Sequence, residues 1–182
     1  MVIATSTADA SACARNARPT REAVWDALRQ VPDPEIPVVS IVELGIVRGI
    51  EWNGDRLHVR VTPTYSGCPA TEVIQEDIRA ALSGLGLDDV AIDIALAPAW
   101  TTDWIAPEAK AKLRDFGIAP PGVVRSRIDV TGISPLRKKA HVPCPRCGSM
   151  ATSLLAQFGS TACKALYRCE SCREPFDYFK PF

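Results

Sequence analysis

Two Cys-x-x-Cys pairs near the C-terminus, Cys144-Pro-Arg-Cys147 and Cys169-Glu-Ser-Cys172, constrain this chain more than any other feature. Twenty-one residues separate them. A tetrahedral site needs four thiolates about 2.3 Å from one ion. A Cys-x-x-Cys turn aims two sulfurs at one point, and a hairpin brings the second pair opposite. A segment of about 40 residues buries too little surface to hold itself together, so the metal would supply much of its folding free energy. Residues 142–182 are therefore predicted to form a zinc-ribbon-like β module. Cys144, Cys147, Cys169 and Cys172 would be its ligands, and Zn2+ is favoured over iron.

The other cysteines do not belong to this set. The chain has seven, an odd number, and five lie in the last 39 of its 182 residues. That is not the spread of a secreted disulfide framework. Cys163 precedes Cys169 in a predicted strand, Thr161 to Cys169, with Ala165 and Tyr167 on the same face. A straight strand would hold it roughly 20 Å from Cys169. It reads either as a small buried residue or as a free thiol for transfer or exchange. His141, three residues before Cys144, is not needed in a shell that four cysteines fill.

Composition narrows the function classes. Hydrophobic residues make up 47% and charged residues 23%, which marks a globular chain. Lys+Arg and Asp+Glu are both 21. No basic footprint for nucleic acid exists, and no apolar run reaches the roughly 18 residues of a membrane span. Residues 1–19, rich in Ala, Ser, Thr and Arg, are expected to be a disordered tail, with Cys13 an incidental thiol. The lack of a secretory signal and the paired Cys motifs predict a reducing cytoplasm.

Residues 20–122 read as an α+β domain with a small mixed sheet. Thr20 can cap a helix to about Gln30, with Val24, Leu28 and Val31 at helical spacing. Pro32, Pro34 and Pro37 lock the loop that follows. A strand over Ile46–Trp52, a turn at Asn53-Gly54-Asp55 and a return strand over Arg56–Thr64 form a hairpin. His58 falls on its solvent face. A helix over Thr71–Ser83 carries Ile74, Ile78, Ala81, Leu82 and Leu85 on one stripe. A third strand, Val90 to Leu96, and a helix opened by Pro107, with Ala109, Leu113 and Phe116 on its apolar face, complete it. The strand–helix–strand unit permits a parallel crossover. Residues 123–141, with Arg137-Lys138-Lys139, read as a linker.

The chemistry of this domain gathers near Cys68, after a strand end and at the mouth of a helix. Helix N-termini favour thiolate and hold anions. Asp33 and Glu35 sit on the proline-locked loop, Glu43 follows, and Thr62 and Thr64 end the strand that leads to Cys68. These residues suit a transient metal site. They equally suit a turn former at Asp33 and a packing residue at Cys68. No histidine base stands near in sequence, so a Cys–His hydrolase has no support.

Three segments carry a resemblance: Val31-Pro-Asp-Pro-Glu-Ile-Pro37, Glu43-Leu-Gly-Ile-Val47 and Thr62-Pro-Thr-Tyr-Ser-Gly-Cys-Pro69. They resemble the small domain of SufT-type iron–sulfur assembly factors. Residues 144–182, with Phe158-Gly-Ser-Thr-Ala-Cys-Lys164 and Glu174-Pro-Phe-Asp-Tyr-Phe-Lys180, resemble the tail of the PaaD family. Tyr65-Ser66-Gly67-Cys68 stands where the assembly domains commonly have Thr-Thr-Pro-Gly-Cys.

The resemblance implies an accessory factor of a multicomponent monooxygenase, phenylacetyl-CoA epoxidase, in phenylacetate catabolism. It assigns the chain no catalytic activity of its own. Cys68 would be the reactive thiol or transient ligand of iron or an iron–sulfur cluster, with Asp33, Glu35 and Thr64 beside it. The implied clients are the di-iron site of the catalytic subunit and the [2Fe–2S] cluster of the reductase. General iron–sulfur assembly proteins would be further partners. Two other readings stay open: a structural adapter of the oxygenase complex, and an electron carrier with one iron in the four-cysteine site. Cys144-Pro-Arg-Cys147-Gly148 resembles a rubredoxin knuckle, but Cys172 is followed by Arg173 rather than glycine.

Overall fold

The computed structural model describes residues 18–122 and 142–182. The expected linker and the tail up to residue 17 lie outside the described residues, and so do Cys13, Arg137-Lys138-Lys139 and His141.

Helix α1, Arg21–Arg29, is capped by Thr20, whose hydroxyl accepts from the Ala23 N–H at 3.2 Å. It buries Val24 and Leu28 completely, the i, i+4 pair that its periodicity requires. Strands β1, Val47–Asn53, and β2, Arg56–Val61, form the antiparallel hairpin. Gly54 supplies the positive φ of its turn, +61°. Helix α2, Ala70–Ser83, lays Ile74, Ile78 and Leu82 into the core. It returns the chain to β3, Val90–Ile94, which pairs with β2 in parallel. The sheet order is β1-β2-β3, a mixed sheet. Helix α3, Pro107–Asp115, starts on its proline and buries Ala109 and Leu113.

Several expected boundaries shift. The return strand ends at Val61, not Thr64, and β3 ends at Ile94. Ile94 and Leu96 are exposed, 42% and 57%, because among the described residues nothing covers the far end of this edge strand. Phe116 is not on a packed face. It lies at the C-cap of α3 and is 53% exposed. His58 is half-buried and sits 2.9 Å from the Asp93 carboxylate across the parallel pair.

The second sheet extends beyond its expected limits. Strands β5 (Thr152–Ala156), β6 (Lys164–Cys169) and β7 (Pro175–Phe179) form an antiparallel ribbon. A two-residue strand β4, Ile118–Ala119, joins its edge parallel to β7, giving the order β4-β7-β6-β5. The end of the first domain thus belongs to the sheet of the second. The two also share a core. Phe179 and Cys163 are buried among the same apolar residues as α1 and β2. Trp100 lies 5.9 Å from the Phe179 ring and 6.1 Å from the Phe182 ring, centroid to centroid. Its indole N–H donates to the Leu44 carbonyl at 3.0 Å. Among the described residues no helix is long and apolar enough to cross a membrane.

Candidate metal centres

The four-cysteine site has the dimensions of a metal centre. All four sulfurs lie within 4.8 Å of one another. Cys144 Sγ is 3.8 Å from Cys172 Sγ, and Cys147 Sγ is 3.6 Å from Cys169 Sγ. A tetrahedron of sulfurs about 2.3 Å from one ion has edges of about 3.8 Å, so the donor set fits zinc. The Cys172 N–H points at Cys169 Sγ at 3.5 Å. That bond and the Ser171 N–H, acting against burial, hold the Cys169 thiol down to about 6. The Glu174 N–H favours the Cys172 thiolate. Burial and the sulfurs of Cys169, Cys147 and Cys144 outweigh it, and push that thiol up to about 12. A cation removes this repulsion by binding all four. Both knuckles turn through positive φ, at Gly148 (+72°) and Arg173 (+66°).

A second constellation stands at the seam of the two sheets. Asp33, Glu35, Thr64 and Cys68 line one cavity of about 20 Å³. Three local devices place them. Asp33 Oδ1 accepts from the Glu35 and Ile36 N–H groups at 3.0 and 2.9 Å, closing the proline-rich loop on itself. The Asp33 N–H donates to Val39 O at 2.8 Å, which ties that loop to the buried segment around Val39 and Ile41. Cys68 lies in the turn between β2 and α2, where Thr71 donates to its carbonyl at 2.8 Å. Glu43, by contrast, points away. It accepts from Lys112 at 2.7 Å and from the Ser40 N–H at 2.9 Å.

The electrostatics of Cys68 run against the helix-terminus expectation. Burial is the largest influence and pushes its thiol up. The Ala70 N–H and Thr71 oppose it, while Glu35 and Asp33 reinforce it. Burial, with the two acids adding to it, outweighs the helix end, so the thiol rests protonated. Asp33, 7% exposed, is itself pushed above 3.8 by burial despite its two N–H bonds and the charge of Lys164. Glu35 rises above 4.5 through burial and the neighbouring Asp33, against Thr161 and Lys164.

Sequence reasoning missed one residue here. Cys163 lies outside the strand expected to contain it and lines the same cavity as Cys68. Its sulfur is 4.0 Å from Glu35 Oε2 and 3.0 Å from Thr161 Oγ1. Lys164, 4% exposed, follows it and pairs with Asp177 at 3.9 Å. The segment Phe158–Lys164 is the piece of the ribbon that meets the acidic loop. Nothing in local periodicity reveals this, because Glu35 and Cys163 are 128 residues apart.

Comparison with known proteins divides the chain the same way. Residues 21–94 match the family model described as iron–sulfur cluster assembly protein, and residues 130–180 match the PaaD zinc beta ribbon domain. An Escherichia coli (strain K12) protein, named as a component of 1,2-phenylacetyl-CoA epoxidase, is 49% identical over 168 residues, which is 90% of this chain and 94% of that one. The Bacillus subtilis (strain 168) Fe-S protein maturation auxiliary factor YitW is 37% identical over 95 residues, 51% of this chain and 92% of its own. A crystal structure of a domain of unknown function, DUF59, from Bacillus anthracis is 26% identical. It covers 50% of this chain and 89% of that chain, with a TM-score of 0.47. With an assembly-type domain joined to a four-cysteine ribbon, and near-full-length identity of 49% to an epoxidase component, the chain belongs to the PaaD family.

Proposed function

We propose that this chain is an accessory maturation factor for the metal centres of phenylacetyl-CoA epoxidase, holding iron or an iron–sulfur cluster transiently at Cys68. The observation that carries the reading is the cavity in which a protonated thiol faces two carboxylates. Here the cation must displace a proton to bind, and the proton can displace the cation to release it. The relatives named for Fe–S protein maturation, which match about half of this chain, and the iron–sulfur cluster assembly family model over residues 21–94, which include Cys68, support the same reading.

In this proposal Asp33 and Glu35 tune or share the site, and Thr64 lines the cavity. The four-cysteine centre holds zinc, which has no redox chemistry, and serves the fold rather than electron transfer. The clients are the catalytic subunit and the reductase of the epoxidase. General iron–sulfur assembly proteins of a reducing cytoplasm are the donors.

The test is the iron content of epoxidase purified from cells that carry Cys68→Ser in this chain. The variant should fold, retain zinc and leave the oxygenase poor in iron or cluster. Fully metallated, active oxygenase would overturn the proposal. Stoichiometric co-purification alongside such active oxygenase would instead favour a structural adapter.

A further inference from the structure

We infer that Cys68, Cys163 and Glu35 together form a site for a single divalent, thiophilic cation such as iron(II), completed only where the ribbon meets the first domain. This deepens the maturation reading and rests on it for the cation's destination. The binding site itself is testable apart from any client.

Geometry supports the donor set. Cys163 and Cys68 line one cavity with Glu35, although they come from different halves of the chain. A sulfur and a carboxylate oxygen on one tetrahedral ion, at bond lengths of about 2.3 and 2.1 Å, stand about 3.6 Å apart. Cys163 Sγ and Glu35 Oε2 are 4.0 Å apart, so a small closure brings both onto one ion. The volume of about 20 Å³ has room for one water-sized body. That is room for one ion.

Charge supports a cation. Three carboxylates, Asp33, Glu35 and Asp177, surround one buried ammonium, Lys164. Buried excess negative charge is costly unless paired, and a divalent ion pairs it. Thr161 Oγ1, 3.0 Å from Cys163 Sγ, and the Lys180 N–H, 2.9 Å from the Cys163 carbonyl, fix the thiol in place. Asp33 spends Oδ1 on backbone N–H groups, which makes it a positioning residue. Binding one M2+ releases two thiol protons to solvent, and no electron moves.

The site also gives the ribbon a purpose. Zinc folds the ribbon, and the folded ribbon delivers Cys163. The YitW relative matches 95 residues of this chain, 92% of its own length. It therefore has little chain to spare for a ribbon of this kind.

The experiment is an anaerobic titration of the full, zinc-loaded chain with cobalt(II) chloride, read by thiolate-to-cobalt charge-transfer absorbance. Zinc is counted in parallel to show that the ribbon keeps one equivalent. Wild type should bind one cobalt beyond the zinc. Cys163→Ser and Cys68→Ser should each weaken binding at least about tenfold and lower the charge-transfer intensity per cobalt. Cys163→Ala, which preserves the small buried volume, is the second variant should the serine loosen the loop. Cys163 variants that keep zinc and bind cobalt like wild type would overturn the composite site and leave Cys68 to act without it. Absence of any cobalt beyond the ribbon in wild type would also overturn it. The maturation reading fails by a different result, full metallation of epoxidase with Cys68→Ser.

Discussion

Arg173 and Gly148 occupy matching places after the second cysteine of each knuckle, and both adopt left-handed backbone, φ +66° and +72°. Glycine does this without strain, whereas a side chain with a Cβ costs about 1 kcal/mol there. Arg173 is exposed, so its side chain is not the reason for the conformation. Arg173→Gly should therefore raise the melting temperature of the zinc-loaded chain by about 2–4 °C, measured by calorimetry. Glu35 gives a second residue-scale prediction. Its carboxyl is held above 4.5, so the folded state binds that proton more tightly than the unfolded chain does. The resulting stability is present below pH 4.5 and is lost as pH rises through the raised value. At pH 7 the ionised group is a burden on the fold. Glu35→Gln should melt higher than wild type at pH 7 by about 2 °C, the gap should narrow toward pH 5, and metal uptake should fall. An equal gap at both pH values would contradict this.

Among the elements, the segment from Phe158 to Lys164 decides whether the seam site exists. It hangs on the ribbon: the Gly159 N–H donates to the Lys164 carbonyl at 2.9 Å, and a Cβ on Gly159 would stand 2.6 Å from Asp177 Oδ1. The ribbon in turn hangs on the four-cysteine centre. Chelating the zinc should therefore expose Cys163 as well as the four ligands. Peptide mapping after alkylation should show Cys163, 4% exposed in the fold, modified at least about tenfold faster without zinc. Slow labelling of Cys163 in the chelated chain would show that the first domain holds the segment unaided. Helices α1 and α2 and strand β2 were legible because their apolar residues repeat at 3.6 and 2.0, and the burial pattern follows those periods, whereas β1 loses the alternation at a register shift between Val47 and Gly49. The end of β3, Phe116 and the two-residue strand β4 were not. Their surroundings are set by which partner strand or helix reaches them, and a period carries no record of that.

The whole molecule is two sheets welded along one seam. Trp100 packs there tilted against Phe179 and edge-on to Phe182, Thr101 donates to the Phe182 carbonyl at 3.0 Å, and β4 crosses from one half to the other. The four-cysteine centre was legible from spacing alone, because its ligands are paired within turns. Asp33, Glu35, Thr64 and Cys68 could be suspected as a group from residue chemistry and resemblance. Cys163 could not be placed with them, because only the packing of one sheet against the other brings it in. That packing ties the proposed activity to an intact seam. Trp100→Ala should cost about 3–5 kcal/mol, as removal of a large buried aromatic does. It should also weaken cobalt binding although Trp100 does not line the cavity, checked by melting and by the same titration. The most direct measurement of the proposed function is transfer itself. Zinc-loaded chain is given one equivalent of 57Fe(II) without air, mixed with iron-free epoxidase, and the label is followed into the oxygenase by Mössbauer spectroscopy. Iron should move into the oxygenase from wild type and not from Cys68→Ser. Uptake at the same rate from buffered 57Fe(II) alone, with no chain present, would contradict the role proposed here.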